Sequence, residues 1–148
     1  MFYEVKDNEL YEWADYKFSN SCKEIQDITM EEYNEEPYKL IISEGELIPN
    51  PDYEQEKERR ERERISHLRC TKRVFVLILE QMGLDYFEQI EPLINSNRQA
   101  KLEWELCVEL ERNNPLLDVI GEELGVSSEQ LDNVFKYANG EIPTLEVE

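Results

Sequence analysis

The side chains that could carry out acid–base or metal chemistry are few in this sequence. His67 is the only histidine among 148 residues, so a two-histidine metal site and an H-E-x-x-H helix cannot form. Cys22, Cys70 and Cys107 are odd in number and never spaced as C-x-x-C, which favours reduced thiols over a disulfide or zinc framework. The sequence therefore predicts neither a metal centre nor a cofactor.

Carboxylates are abundant, and a pair of them can act as general acid and base. With 35 aspartates and glutamates in the chain, adjacent pairs are expected by chance. The five glycines are scattered, so neither a P-loop nor a dinucleotide-binding loop is present. No nucleophile has a base and an orienting group near it in the sequence. We therefore expect no catalytic residues and no enzyme.

Acidic charge is what the chain carries in excess. The 35 acidic and 16 basic residues give a formal net charge of -19. This charge repels nucleic acids and anionic membranes and favours a partner protein with a basic surface. Residues 51–73 hold eight cations, but six carboxylates are interleaved with them, so we favour a self-paired, solvated helix over a phosphate-binding surface.

Two groups of side chains are candidate partner contacts. Tyr11, Trp13 and Tyr16 lie in a segment too small to bury all three, and exposed aromatics with acidic neighbours are typical of interface centres. The alternative is that Trp13 forms the core of a small sheet, and both interpretations stay open. The second group consists of spaced carboxylates that could imitate nucleic-acid phosphates in a basic groove, or simply keep the protein soluble. Its members are Glu31, Glu32, Glu35, Glu36, Glu103, Glu105, Glu109 and Glu111.

The aromatic candidates and half of the carboxylate candidates lie in residues 1–50. The sequence of this segment predicts a small β-rich piece. The aromatic-rich segments Phe2–Val5 and Leu10–Trp13 flank a turn and predict a hairpin. Thr29 and Glu32 have the spacing of a capping box, which predicts a short helix. A second hairpin is predicted over Tyr38–Ile48. Together these elements would form one four-stranded antiparallel sheet with thin burial.

A long charged helix is predicted over residues 51–70. Asn50 and Pro51 form a helix-start signal, with asparagine as N-cap and proline at the first helical position. Nearly every residue of 54–64 is charged, and apolar positions return only at Ile65 and Leu68. Such a helix is a solvated connector rather than a packed element.

Residues 71–138 predict a helical bundle, because apolar residues recur at three- and four-residue intervals between N-cap signals. A helix over Gln99–Arg112 is expected to bury Leu102, Leu106 and Leu110 on one stripe. Residues 139–148 form an acidic tail. The predicted N-caps are Thr71, Asp85, Asn114 and either Ser127 or Ser128. The predicted fold class is therefore α+β, mainly α, with a small N-terminal antiparallel β piece, a charged connecting helix and a C-terminal helical bundle.

The chain also carries signals about its location. Residues 1–7 contain no basic n-region and no apolar h-region, so we expect no secretory signal. The longest apolar run, residues 74–79, is far shorter than the roughly 20 residues that span a bilayer. We therefore expect a cytoplasmic protein without a membrane segment.

Several stretches of the sequence resemble small prophage-encoded accessory proteins over most of the chain. These stretches are Tyr3–Asp7, Ile42–Leu47, Asn50–Glu54, Glu61–Ile65 with Leu68 and Thr71, Asn114–Leu117, and Leu131–Phe135. The resemblance implies a phage or prophage origin, often beside tail genes, and transfers no catalytic residues.

The resemblance implies one of two non-enzymatic classes of protein binder. One is an inhibitor of nucleic-acid-directed host defence, such as an anti-CRISPR protein that binds a CRISPR nuclease. The other is a structural or assembly accessory from a tail locus. The 16 acidic and 4 basic residues of 74–148 favour the inhibitor, whereas the charged connecting helix favours the virion accessory. The oligomeric state stays open.

Overall fold

The computed structural model describes residues 1–145, and the chain divides into two compact units. Unit 1 is Met1–Arg60 and unit 2 is Glu61–Glu148. The division lies inside the charged helix, whereas the sequence pattern placed boundaries at both of its ends. The architecture is α+β and mainly α, as predicted.

Unit 1 begins with a three-stranded antiparallel sheet. Its strands are β1 (Phe2–Lys6), β2 (Glu9–Ala14) and β3 (Lys23–Glu24), in the order β2-β1-β3. The predicted first hairpin is confirmed. Its two-residue turn places Asp7 and Asn8 at φ 53° and 64°, the left-handed conformation that matches the twist of a tight hairpin. An extra residue, Tyr11, interrupts the ladder between β1 and β2 as a bulge.

A second, separate sheet follows a short helix. The elements are α1 (Met30–Glu35), a 3₁₀ turn (Pro37–Lys39), β4 (Leu40–Ser43) and β5 (Glu46–Pro49). Thr29 and Glu32 form the predicted capping box. The prediction of one four-stranded sheet was wrong, because β3 occupies the second edge of β1 while β4 pairs only with β5. The proline turn also removes Tyr38 and Lys39 from the predicted strand.

The core of unit 1 is small. Met1, Tyr3 and Leu47 are its buried members, and half-buried side chains such as Trp13 and Tyr33 pack around them. The backbone N–H of Leu47 donates to the hydroxyl of Tyr3 at 3.0 Å, which ties the second sheet to the first. This buried polar contact compensates for the limited apolar burial.

The charged helix α2 spans Tyr53–Ser66 and crosses from unit 1 into unit 2. Asn50 does cap the turn before it, since its side-chain oxygen accepts from the Asp52 N–H at 3.0 Å. The helix ends four residues before the predicted end. Residues Arg69–Thr71 instead form β6, an extended strand that needs a partner from another part of the chain.

Unit 2 is a helical bundle with a two-stranded ribbon. Its elements are α3 (Lys72–Gln81), a π-helical turn (Tyr86–Ile90), α4 (Glu91–Asn95), α5 (Arg98–Leu106), β7 (Glu109–Glu111), α6 (Pro115–Leu124) and α7 (Ser128–Ala138). The predicted N-caps Thr71, Asp85, Asn114 and Ser127 are confirmed, since each side chain accepts a backbone N–H of the first turn. Gly121 lets α6 approach the next segment, because a Cβ there would lie 2.8 Å from the Val126 carbonyl oxygen.

The prediction of one helix over Gln99–Arg112 was wrong. The chain leaves α5 at Cys107, which has an extended backbone, and Glu109–Glu111 pairs with Arg69–Thr71 as a ribbon. Ala100 and Trp104 face the core, so Leu102 and Leu106 of the expected stripe face solvent instead. Leu110 is buried as expected, but on the strand β7.

Sixteen described residues form the buried core of unit 2, centred on Phe75, Leu79, Ile120 and Phe135. Arg112 is buried at its edge, where its Nε donates to Asp132 at 2.8 Å and its Nη2 donates to Ser128 Oγ at 3.0 Å. None of the helices within residues 1–145 is long and apolar enough to cross a membrane.

Candidate binding surfaces

The structure separates the three aromatic candidates of unit 1. Trp13 belongs to the small core, where its ring meets Tyr33 edge-on at 5.6 Å and its Nε1–H donates to Asn34 at 2.8 Å. Tyr11 and Tyr16 are exposed, and the Lys6 ammonium lies 3.8 Å from the centre of the Tyr11 ring. The bulge in β2 explains the difference, since an extra residue turns Tyr11 away from the face that carries Trp13.

The four carboxylates of α1 and its C-terminus differ in the contacts that they make; they are Glu31, Glu32, Glu35 and Glu36. Glu32 accepts the backbone N–H of Thr29 at 2.9 Å and completes the capping box. Glu36 accepts hydrogen bonds from two tyrosine side chains of unit 1. Glu31 and Glu35 are exposed, one turn apart on α1. Only this last pair is therefore available to a partner without loss of a contact that holds the fold.

Glu36 accepts hydrogen bonds from two phenols, Tyr38 at 2.7 Å and Tyr53 at 2.8 Å. Lys39 lies 3.5 Å from the same carboxylate, and the Arg60 guanidinium covers the Tyr38 ring at 4.4 Å. The phenol donors hold the pKa of Glu36 below its ordinary value, and the hydrogen bond to Glu36 raises the pKa of Tyr38 to about 12. This cluster fixes the start of α2.

Three of the four acidic candidates of unit 2 line a groove of about 500 Å³, which we call the acidic groove. Glu103 on α5 and Glu109 and Glu111 on β7 supply its carboxylates. Glu105 lies outside it, 3.9 Å from Lys101. The remaining lining residues are Asn97, Gln99, Ala100, Asn113, Asn114, Pro115, Leu116 and Val119.

Local sequence signals explain how the acidic groove is built. Asn97 and Asn114 are the N-caps of α5 and α6, so both helices begin at the groove. The strand β7 carries Glu109 and Glu111 on one face, because side chains two apart in a strand point the same way. Glu111 also contacts His67 Nδ1 at 2.8 Å, and this hydrogen bond, with Arg69 nearby, lowers the pKa of Glu111.

Two apolar residues that lie between Glu103 and Glu109 in the sequence are exposed. Leu106 and Val108 each expose 79% of their surface, in the short segment that joins Glu103 on α5 to Glu109 on β7. Sequence reasoning placed Leu106 in the core. The alternation of Glu109, Leu110 and Glu111 is the signal that could have revealed a strand, and with it an earlier end of the helix.

The side chains of the acidic groove can recognise cations and hydrogen-bonding groups. Carboxylates accept hydrogen bonds from lysine and arginine, and the amide side chains add neutral donors and acceptors around an apolar floor. Among residues 1–145 no three or more histidine, cysteine or carboxylate side chains are grouped to hold a metal ion. Burial raises the pKa of the Cys70 thiol to about 12, which keeps it protonated.

Comparisons with known proteins find no match to this chain. No protein-family model matches it, and neither a curated protein nor a solved structure is significantly similar to it.

Proposed function

We propose that this protein is a non-catalytic binder of a basic protein surface, with the acidic groove as its contact site. The observation that carries the proposal is the grouping of Glu103, Glu109 and Glu111 along one groove, with the exposed Leu106 and Val108 in the chain segment that connects the first two. Interfaces typically have an apolar centre inside a polar rim, and their binding energy concentrates in the anchors at the centre. A partner that supplies lysine or arginine would meet the carboxylates while its apolar surface covers the two anchors.

The partner class we propose is a host defence protein with a nucleic-acid channel, so that the chain acts in the host cytoplasm as an inhibitor of the anti-CRISPR type. Such a channel is lined with cations that hold phosphates. The net charge of -19 and the carboxylates of the acidic groove support this proposal, because they would compete for the same cations. Attraction at long range should make association fast and sensitive to salt.

The experiment is inhibition of target cleavage by a panel of guide-loaded CRISPR effectors. We expect the native chain to inhibit at least one of them and the on-rate to fall as salt rises. The double variant Leu106→Ser/Val108→Ser should weaken inhibition by roughly 5- to 150-fold, the effect of losing about 1–3 kcal/mol of anchor contact. Ile41→Ser, which removes an exposed apolar side chain from unit 1, is the matched control.

A charge test separates the acidic groove from net charge alone. Glu103→Lys/Glu109→Lys and Glu122→Lys/Glu123→Lys change the total charge equally, and all four residues are exposed in unit 2. Only the first pair should abolish inhibition, because only that pair lines the groove. Equal losses from both pairs, or no inhibition of any effector in the panel, would contradict the proposal.

A second candidate function is a tail-locus structural or assembly accessory. The observation that favours it is that charged side chains of α2 form ion pairs with one another. Glu56 lies 2.9 Å from Arg60, and Glu61 lies 2.7 Å from Arg64. Such a helix can join two binding units without needing a core of its own. The test is whether purified phage particles contain the protein and whether its deletion impairs assembly; two negative results would exclude this function.

A further inference from the structure

Unit 2 carries a second groove, whose charge is opposite to that of the acidic groove. It measures about 310 Å³, and we call it the basic aromatic groove. It is lined by Lys72, Arg73, Val76, Leu77, Tyr86 and Trp104. Phe87, which is 73% exposed, stands beside it with its ring edge-on to Tyr86 at 5.2 Å.

The charge of this groove differs from that of its surroundings. Residues 61–148 contain 18 acidic and 9 basic residues, yet no described lining residue of the groove is acidic. Lys72 is held in place, since its ammonium donates to the Trp104 carbonyl oxygen at 2.6 Å and lies 5.5 Å from the centre of the Trp104 ring. Arg73 is exposed and forms no ion pair with the described residues.

Carboxylates lie close to the groove but outside its lining. Glu80 accepts the backbone N–H of Tyr86 at 2.8 Å. Glu91 and Glu105 lie in a neighbouring recess that Lys72 also lines, and Glu105 is 3.9 Å from Lys101. Lys72 and Arg73 are therefore the charged residues among the described lining of the groove, and no carboxylate lines it.

The exposed apolar side chains here are not needed for the core. On α3, Phe75, Ile78 and Leu79 are buried, whereas Leu77 on the opposite face is half exposed. Arg73 and Leu77 are one turn apart and share that outer face. An apolar patch with cations at its edge is the arrangement of an interface, and it fits a partner with carboxylates around an apolar anchor.

We propose that the basic aromatic groove binds an acidic segment of a protein, in which one aromatic or aliphatic side chain enters the groove and flanking carboxylates pair with Lys72 and Arg73. This is a second binding surface, independent of the acidic groove and opposite to it in charge preference. A nucleic acid could in principle offer a base and a phosphate to the same groove. The net charge of -19 disfavours it, because repulsion grows with the charge of the ligand and a short acidic peptide carries only a few charges.

The experiment measures binding of three labelled peptides to the full chain by fluorescence anisotropy. All three share a central Leu-Phe anchor, which is flanked by glutamate, glutamine or lysine. The glutamate peptide should bind in the range of about 0.01–1 mM, shift the NMR signals of Leu77 and Phe87, and bind at least about 5-fold more tightly than the glutamine peptide, the effect of roughly 1 kcal/mol. Added salt should weaken this binding.

Charge reversal locates the site. Arg73→Glu should reduce binding of the glutamate peptide by at least about 10-fold, since it replaces an attraction by a repulsion. Arg98→Glu makes the same change of charge at another exposed position of unit 2 and should leave the affinity within about 2-fold, because Arg98 does not line the groove and exposed charges are screened by salt. Phe87→Ser should also weaken binding and leave circular dichroism unchanged.

The lysine peptide separates this inference from the proposed function. It should bind at the acidic groove, respond to Glu103→Lys/Glu109→Lys and ignore Arg73→Glu. Failure of the lysine peptide alone counts against the proposed function and leaves this inference standing. The inference is overturned if the glutamate peptide does not bind at about 1 mM, if Arg73→Glu and Arg98→Glu act equally, or if a short single-stranded oligonucleotide binds this groove more tightly than the peptide.

Discussion

Unit 1 and unit 2 are stabilised by different means. Unit 2 buries sixteen described residues in one apolar core, whereas unit 1 has three in its core and depends on half-buried side chains around them. Unit 1 adds polar contacts, among them the Tyr3–Leu47 hydrogen bond, the capping box at Thr29 and the phenols that meet at Glu36. Small sheets with little apolar burial need such additional contacts to be stable.

This difference decides which carboxylates are available for binding. In unit 1, Glu32 and Glu36 hold local structure, so substitutions there would disturb the fold together with any interface. In unit 2, Glu103 and Glu109 are exposed beside a core that does not depend on them. A well-packed core leaves the surface free to specialise, and both candidate grooves lie in unit 2.

The largest change in stability is expected from a substitution in the core of unit 2. Phe135 is fully buried against Phe75, with ring centres 6.0 Å apart, so Phe135→Ala should cost about 3–5 kcal/mol of the free energy of unfolding. The measurement is urea unfolding followed by tryptophan fluorescence. Each unit contains one tryptophan, so Trp13→Phe leaves Trp104 to report on unit 2 and Trp104→Phe leaves Trp13 to report on unit 1.

The comparison predicts that Phe135→Ala shifts the Trp104 transition and leaves the Trp13 transition in place. Leu47→Ala, in the core of unit 1, is the matched control and should shift only the Trp13 transition. If either variant moves both transitions equally, the two units unfold as one and the contrast between them fails.

Local chemistry predicted most of the helix starts correctly. Thr71, Asp85, Asn114 and Ser127 act as N-caps through contacts with residues only two or three positions away, so the sequence alone contains the whole interaction. The first hairpin was predictable for the same reason, since its turn needs only the two residues at positions 7 and 8.

The incorrect predictions concern elements whose structure depends on contacts with residues far away in the sequence. The spacing of Leu102, Leu106 and Leu110 suits a helix, but Ala100 and Trp104 pack better against the core, and β7 forms only because residues 69–71 pair with it. Glu103 and Glu109 could therefore be named as candidates from charge alone, whereas the exposure of Leu106 and Val108 could not. Whether an apolar residue is buried depends on the tertiary structure.

A smaller change in stability is expected when the polar contacts of unit 1 are titrated or removed. The pKa of Glu36 is lowered in the folded protein, so its contribution is present above the ordinary carboxyl pKa and is lost as pH falls through the lowered value. The urea midpoint reported by Trp13 should therefore decrease as pH falls below the ordinary glutamate pKa of about 4.3, and Glu36→Gln should lower the midpoint at pH 7 and flatten this part of the profile.

Glu35→Gln is the control, because it removes an exposed carboxylate from the neighbouring position. The pKa of Tyr38 is raised to about 12, so its contribution is present below pH 10 and is lost as pH rises towards 12. Tyr38→Phe should flatten that alkaline decrease. Identical acid profiles for Glu36→Gln and the native chain would show that the cluster at Glu36 does not stabilise unit 1.

The smallest expected effect on stability concerns Tyr11 and Tyr16. Both are exposed, so Tyr11→Ala/Tyr16→Ala should change the free energy of unfolding by no more than about 0.5 kcal/mol and leave the circular dichroism spectrum unchanged. Trp13→Ala, in the adjacent core, should instead destabilise unit 1, because it removes the contacts with Tyr33 and Asn34.

If Tyr11 and Tyr16 are partner contacts as predicted, the double variant should weaken inhibition of the CRISPR effector by about 1–3 kcal/mol in binding free energy. Unfolding of unit 1 by the double variant would show that these side chains hold its core, and unchanged inhibition would confine partner binding to unit 2.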